Sequence, residues 1–477
     1  IYFVMKFYID NLINFFCSRV SLFFILLIYC ILIIFFNDLK TIDLTVGDTG
    51  SYISFSFENL ELFFSQHRSF GLPLILNLYF KIFNTYNYWG YFNLFLFFIS
   101  MTYLVSSLHK YMFNKYFISS IFYGVLLTYG IIPMFSFINT DLVGLCFVII
   151  SICLFLEYLH SDKKIYFIFF IFMLSYSILT RTSYIVFLPS FIIYLYFFKY
   201  KNFKFMYSLK KILIEATSIS LPILIFIIFR FITIQDIGLV SFKGTFSSHH
   251  PFMFLEKNQV EFLESQNQNL AIKFIDRRSK LSEPCNLSYD QISKIDLSII
   301  KYKDLCYNDH LMSSWLIKVK EHYDIEPEVS FINYFEPWKE TNLSLFFNVK
   351  NDLIDKELKS IFIDSVKINL PKYINVVFQQ AVFKGFFGFI YSIKLLILFF
   401  TAFMILTYFV YGSKKLKFSR IDKELSFFIF NLSNYIFLLF VTSVGPYPDP
   451  RYFMFQCIFF IPSLYGIFFC KIKNLQK

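Results

Sequence analysis

Ionisable side chains are concentrated in one short stretch, residues 37–73, directly after the first long apolar run of the chain. Within this stretch Asp48 lies between Gly47 and Gly50, and glycine permits the backbone angles of a tight turn. A carboxylate exposed at such a turn can act as a general base on a bound hydroxyl group. A simple solvated turn is the alternative interpretation. Asp43 is the nearest rival acid, but the alternating apolar and polar residues around it indicate a solvated face.

Arginine is the second residue type that can do chemistry in this chain. Arg68, Arg181, Arg230 and Arg451 all lie at the ends of apolar segments. The guanidinium group binds phosphate through two parallel hydrogen bonds and stays charged when it is partly desolvated. Four arginines in such positions favour a phosphate-binding site. The alternative is that each arginine reaches a lipid headgroup on its own.

The composition indicates what kind of protein positions these residues. Hydrophobic residues make up 57% of the 477 residues and charged residues only 16%. A soluble domain is less apolar and more charged, so the composition predicts an all-α polytopic membrane protein. The net charge of +11 follows from lysine-rich loops and does not indicate nucleic-acid binding.

Hydropathy predicts ten membrane-spanning helices, most of them close to the length of about 20 residues that a bilayer core requires. They lie near residues 20–36, 88–108, 116–137, 141–159, 164–180, 183–198, 212–232, 386–411, 424–443 and 452–470. An eleventh apolar run, residues 71–83, contains Pro73 and is too short for a span, which favours a re-entrant or interfacial helix.

The positions of lysine and arginine in short loops predict the orientation. Clusters at residues 199–211 and 414–423 are expected on the cytoplasmic side. With ten spans, every lysine-rich short loop then falls inside, and the 37–73 stretch faces outward. In a bacterium, this arrangement corresponds to a multi-pass inner-membrane protein with its active face toward the periplasm.

Three regions follow from this topology. Residues 1–234 form an N-terminal transmembrane module with its first outer loop, a candidate for the active face, at 37–73, residues 235–385 form an outer-face loop domain, and residues 386–477 form C-terminal transmembrane helices. Helical patterning in the middle region, around residues 313–323 and 360–372, predicts small helices. Cys285 and Cys306 are the two cysteines of that region, and either a disulfide or two free thiols is compatible with their spacing.

Several short motifs resemble those of the GT-C glycosyltransferases of the protein-mannosyltransferase and aminoarabinose-transferase type. Residues 47–52 (GDTGSY) and 68–74 (RSFGLPL) are similar to the first outer loop of that family. Residues 179–184 (LTRTSY) are similar to a later helical hairpin, and residues 448–452 (PDPRY) to an Arg-Tyr that opens a late span. The family often has paired acids in the first loop, whereas this chain has Asp48 alone.

The resemblance implies a GT-C-like bundle of about 10–11 transmembrane helices with a mostly α periplasmic domain. It implies transfer of a sugar from a polyprenyl-phosphate-linked donor to a glycan, lipid or protein acceptor. No cofactor is required, although some relatives use a divalent metal. In this interpretation Asp48 is the general base, and the following side chains bind the donor phosphate or substrate: Tyr52, His67, Arg68, Arg181, Arg451 and Tyr452.

Two other classes of membrane protein remain as alternatives. A Wzy-like polymerase of lipid-linked glycan repeats also has functional arginines, but in two large outer loops, whereas this chain has one. A transporter of lipid-linked sugars would place ionisable residues near the middle of its spans. The predicted spans are nearly free of acids, with Glu157 and Glu215 near the inner boundary.

Overall fold

The computed structural model describes residues 11, 13–40, 49–66, 68–128, 131–200, 203, 205–240, 255–282, 351–380, 401, 423–443 and 457–474. The regular elements of these residues are helices, and no strand occurs among them.

The first part of the chain forms helices that alternate between long and short. In chain order they are α1 (Arg19–Phe36), α2 (Thr49–Ile53), α3 (Leu60–Ser65), α4 (Gly71–Phe83), α5 (Trp89–Lys110), α6 (Lys115–Leu126), α7 (Ile131–Met134), α8 (Thr140–Ser161) and α9 (Lys164–Thr180).

The second part begins with a 3₁₀ turn at Thr182–Val186, which leads into α10 (Phe187–Leu195) and a π-helical turn at Tyr196–Tyr200. The remaining helices are α11 (Phe205–Ile234), α12 (Ser265–Ser282), α13 (Asn351–Ile368), α14 (Leu370–Gln380), α15 (Lys423–Ser443) and α16 (Phe460–Asn474), with a 3₁₀ turn at Lys257–Phe262 before α12.

Six helical segments of the described chain are long and apolar enough to cross a membrane. They are Arg19–Phe36, Trp89–Lys110, Thr140–Ser161, Thr182–Tyr200, Met206–Ile234 and Lys423–Val441, and each matches one of the ten predicted spans. Two further predicted spans contain shorter apolar helices, Lys164–Thr180 and Phe460–Cys470. The predicted span at 386–411 lies outside the described residues apart from Thr401.

The predicted span at 116–137 is interrupted, because this region is not one helix. α6 ends at Leu126 and has 12 residues, which extend about 18 Å and cannot cross a bilayer core of about 30 Å. The one-turn helix α7 follows and contains Pro133. Proline has no N–H group for a helical hydrogen bond, and its ring collides with the carbonyl group four residues earlier. A hydropathy window does not register this break.

The short helix predicted at 71–83 is confirmed with the same bounds, as α4. Its 13 residues extend about 20 Å, again too short for a span. Asn84 ends the helix in the left-handed conformation, with φ of 52°. α4 packs against the end of α9, where the hydroxyl group of Tyr176 donates to the carbonyl oxygen of Gly71 at 2.6 Å.

α8 lies at the centre of the bundle. Most of its side chains are buried, and it packs along α5 on one side and α9 on the other. Gly144 provides the space for the ring of Tyr184 from the 3₁₀ turn, since an added Cβ would lie 2.3 Å from a ring carbon. α1 and α11 lie at the periphery, where many large apolar side chains remain exposed.

One end of the bundle is held by ion pairs, and we call it the charged end; it comprises Lys110, Glu157, Asp162, Lys199 and Glu215. Lys110 Nζ lies 2.7 Å from Glu157 Oε2, and Lys199 Nζ lies 2.7 Å from Asp162 Oδ1. Glu215 accepts hydrogen bonds of 2.7 Å from two tyrosine hydroxyl groups, one on α8 and one on the π-helical turn. These contacts fix the ends of α5, α8, α10 and α11 relative to one another.

Tyr111 also belongs to the contacts of this end. Its hydroxyl group donates to Glu157, and its ring stacks on His160 with 4.1 Å between the ring centroids. Burial, followed by the hydrogen bond to Glu157, raises the pKa of Tyr111 to about 12. The hydroxyl group therefore remains protonated and continues to donate at any physiological pH.

The middle region of the chain contributes small helices, as its patterning predicts. The segment 360–372 falls on α13 and α14, which are separated at Asn369. The segment 313–323 and both cysteines, Cys285 and Cys306, lie outside the described residues. α12 and α13 form a small apolar cluster together with the preceding 3₁₀ turn, made of Leu255, Val260, Leu263, Ala271, Leu358 and Ile361.

Candidate functional site

The segment after α1 folds back onto the end of the bundle opposite the charged end. Thr49 Oγ1 donates to the carbonyl oxygen of Ile138 at 3.4 Å, just before α8 begins. Ser69 Oγ donates to the carbonyl oxygen of Thr180 at 3.4 Å, where α9 ends. We call this region, where residues 49–72 meet the first residues of α8 and the last residues of α9, the loop end.

Gly71 allows the closest of these contacts. A Cβ atom added at this position would lie 2.5 Å from the backbone nitrogen of Thr180 and 2.6 Å from the carbonyl carbon of Leu179. Atoms that close repel each other, and backbone atoms cannot rotate out of the way as a side chain can. Glycine at position 71 therefore lets the start of α4 lie directly on the end of α9.

Arg68 lies in the loop that leads into α4. Its Nε donates to Ser51 Oγ at 3.0 Å, and its Cζ lies 5.3 Å from the ring centroid of Tyr52. A guanidinium group over an aromatic face is attracted by the negative charge density of the ring. Tyr52 is itself buried, at 7% exposure. The ring and the hydroxyl group of α2 thus hold Arg68 in a defined position.

Arg181 lies directly after α9 and pairs with an acid at the start of α8. Its Nη1 lies 2.8 Å from Asp141 Oδ1 and donates to Thr140 Oγ1 at 2.9 Å. The Asp141 side chain is 2% exposed and that of Arg181 is 13% exposed. The hydroxyl group of Tyr184 donates to the carbonyl oxygen of Asp141 at 2.9 Å, which fixes the same turn.

Asp141 is the residue of this site that the sequence analysis missed. Hydropathy places it within an apolar span, and the predicted spans are nearly free of acids. The local sequence does contain a signal: Asn139 caps α8, its side chain accepts from Leu142 N at 3.0 Å, and Asp141 then falls in the first helical turn. Acids are common there because they complement the positive end of the helix dipole.

Arg230 also has a carboxylate partner within the chain. Its Nη2 lies 2.7 Å from Asp236 Oδ2, and both side chains are buried, at 1% and 5% exposure. Arg230 Nε donates to the carbonyl oxygen of Phe64 in α3 at 3.0 Å. Lys359 of α13 lies 3.7 Å from the other carboxylate oxygen of Asp236. Arg230 therefore ties α11 to the loop end.

The structure brings Tyr52, Arg68 and Arg181 of the predicted site to the loop end. Arg68 and Arg181 are each one residue away from the contact between Ser69 and Thr180. The other predicted site residues lie outside the described residues: Asp48, His67, Arg451 and Tyr452.

Gly50 does not lie in the tight turn that the sequence predicts. It lies in the first turn of α2, and the described part of the chain has positive φ for glycine only at Gly238. An added Cβ at Gly50 would meet no atom within 4 Å. The freedom of glycine is therefore not needed at position 50, because the backbone there is already helical.

The loop end combines a guanidinium group held on a tyrosine ring with a second guanidinium group that is paired with a carboxylate. Within the described ranges, no three His, Cys, Asp or Glu side chains come together as a metal ion would need. Comparisons with family models, with characterised proteins and with solved structures give no match to this chain. A functional assignment therefore rests on the residues of the loop end.

Proposed function

We propose that this chain is an integral membrane glycosyltransferase that moves a sugar from a polyprenyl-phosphate-linked donor to a glycan, lipid or protein acceptor. The main support for this proposal is that residues 49–72 fold back onto the bundle. They contact the start of α8 and the end of α9. Through this return, Arg68 on its tyrosine ring and Arg181 on Asp141 share one end of the molecule.

The two arginines are suited to the donor phosphate. Guanidinium groups bind phosphate oxygens through paired hydrogen bonds, and a group already fixed in place loses little side-chain entropy on binding. Tyr52 fixes Arg68 and Asp141 fixes Arg181. Negative charge grows on the phosphate as its bond to the sugar breaks, and fixed cations stabilise that charge. Arg451, Tyr452 and His67 are proposed to complete this site.

The base in the proposed reaction is Asp48. It takes the proton of the acceptor hydroxyl group while the acceptor oxygen forms a bond to the anomeric carbon of the sugar. The bond from that carbon to the phosphate oxygen breaks, and the phosphate leaves with the electron pair. Since a phosphate is a good leaving group, the reaction does not oblige the enzyme to use a metal.

The proposed architecture is of the GT-C type, with about 10–11 transmembrane helices and a mostly α domain on the outer side. The loop end faces the periplasm of a bacterial inner membrane, and the charged end faces the cytoplasm. The small helices of the middle region then lie over the loop end and limit hydrolysis of the donor by water. Lys359 of α13, beside the Arg230–Asp236 pair, supports this placement.

The test is sugar transfer by the full chain reconstituted in liposomes, with a panel of radiolabelled polyprenyl-phosphate sugars and a total glycan and lipid extract as acceptor. Asp48→Asn should lower the rate by about 10²–10⁴-fold, the usual effect of losing a general base. Asp43→Asn is the matched control and should leave the rate unchanged. Equal rates for the wild type and Asp48→Asn would contradict the proposed base, and no transfer from any donor by the wild type would contradict the function.

A further inference from the structure

The helix α14 has an apolar side that the described residues leave open. Leu370, Ile374 and Phe378 follow one another at a spacing of four residues, which places them along one side of the helix. Their side chains are 48%, 58% and 66% exposed. By its sequence, α14 carries Lys372 and Gln379 on the opposite side. The helix is therefore amphipathic, and the three exposed residues form what we call the apolar stripe.

Contacts with the rest of the chain fix the direction in which the apolar stripe faces. The ring of Tyr373 meets that of Phe362 in α13 edge to face, with 5.6 Å between the ring centroids. Asn369, directly before α14, exchanges two side-chain hydrogen bonds with Gln259 of the 3₁₀ turn, at 2.7 and 2.9 Å. α14 also packs against α15. The stripe is thus held on the side of α14 that points away from its protein contacts.

The position of α14 is close to the boundary of the membrane. Its neighbour α15 is one of the six candidate spans, and Lys423 at the start of α15 donates to the carbonyl oxygen of Tyr111 at the charged end. Lys359 of α13 lies beside Asp236 near the loop end, so α13 and α14 belong to the opposite end of that span. The sequence leaves five residues between α14 and the predicted span at 386–411. These residues can reach at most about 20 Å.

We propose that α14 lies flat in the lipid interface on the loop-end side of the bilayer, with its apolar stripe among the upper parts of the acyl chains. Its 11 residues extend about 16 Å, too short to cross, and a helix with one apolar and one polar side lies in the plane of the interface. α14 then anchors α12 and α13 at the membrane surface. This inference goes beyond the proposed transfer reaction and requires only that α15 spans a bilayer.

The experiment measures what surrounds the apolar stripe in the full chain reconstituted in liposomes. In a cysteine-free background, Ile374→Cys carries a nitrobenzoxadiazole fluorophore, which is quenched either by a nitroxide on the upper acyl chain of the lipid or by iodide in the water. Ile374→Cys should lose as much fluorescence to the lipid nitroxide as Ile228→Cys, a 55% exposed position on α11, and should be protected from iodide. Glu261→Cys, an exposed position of the 3₁₀ turn before α12, is the control and should be quenched by iodide.

Two results would overturn the proposal. Quenching of Ile374→Cys by iodide as strong as that of Glu261→Cys would show that the stripe faces water. No quenching by either reagent would show that protein covers it, from another part of this chain or from a second copy. Should the cysteine-free chain fail to fold, a photo-crosslinking phenylalanine analogue in place of Phe378 in the otherwise native chain decides. Adducts with lipid are then the expected result, and adducts with protein alone would overturn the proposal.

Discussion

The surroundings of the guanidinium group differ among Arg68, Arg181 and Arg230. The sequence predicts that arginines at the ends of apolar helices need anionic compensation. For Arg181 and Arg230 the chain itself provides it, through Asp141 and Asp236. A hydropathy pattern does not reveal such pairs. Asp141 and Arg181 are distant in sequence, and Arg230 belongs to a helix end that is otherwise apolar. Arg68 contacts a tyrosine ring and a hydroxyl group.

Asp141 is expected to be important for stability. Removing one member of a buried ion pair leaves the other uncompensated, so Asp141→Asn should lower the free energy of unfolding by roughly 3–5 kcal/mol. Asp162→Asn is the control, since Asp162 is 77% exposed in its pair with Lys199 and should cost about 0–1 kcal/mol. Thermal unfolding in detergent compares the two variants. Equal losses would show that the Asp141–Arg181 pair is no more desolvated than the surface pair.

Arg68 is the residue for a test of phosphate binding. Arg68→Lys keeps the positive charge but loses the planar fork and the Nε contact to Ser51. We expect the dissociation constant for a polyprenyl-phosphate sugar to rise about tenfold, which corresponds to one lost charged hydrogen bond, with unchanged protein yield. Equilibrium binding of a labelled donor measures this, with Lys81→Arg on exposed α4 surface as the control. Unchanged binding in Arg68→Lys would remove this arginine from the phosphate site.

Among the secondary-structure elements, the long apolar helices could be predicted from the sequence. The places where a helix is interrupted could not. α4 has the bounds that its short apolar run suggests, because Gly71 at its start and Asn84 after its end are both visible in the sequence. The break between α6 and α7 was missed, since apolar residues continue across it and only Pro133 marks it. Gly50 was assigned to a turn from its type alone, although α2 places it in a helix.

The two glycines of the loop end make a matched pair for a test at this scale. Gly71→Ala should lower the free energy of unfolding by about 1–3 kcal/mol, because its Cβ would collide with the backbone of Leu179 and Thr180. Gly50→Ala should be neutral or stabilising by up to about 1 kcal/mol, because alanine favours a helix and nothing lies nearby. Thermal unfolding of both variants measures the contrast. A tolerated Gly71→Ala would mean that α4 does not lie directly on α9.

At the scale of the whole molecule, the two ends of the bundle differ in chemistry. The charged end has lysines paired with acids near the surface, and the loop end has arginines held by rings and buried carboxylates. The distribution of lysine in short loops predicts this asymmetry before any contact is known. Which residues meet across the loop end could not be predicted, because those contacts depend on how residues 49–72 return to the bundle.

The last prediction concerns the sides of the membrane on which the two ends lie. α8 begins at the loop end and finishes at the charged end, so a membrane crossed by α8 separates exposed Glu58 from exposed Lys163. In a cysteine-free background, Glu58→Cys should react with a membrane-impermeant maleimide added to intact cells. Lys163→Cys should react only after the membrane is permeabilised. The background is needed because the chain has eight cysteines of its own. Reaction of both variants in intact cells, or of Lys163→Cys alone, would exclude an outward-facing loop end and with it the proposed use of a donor on the outer face.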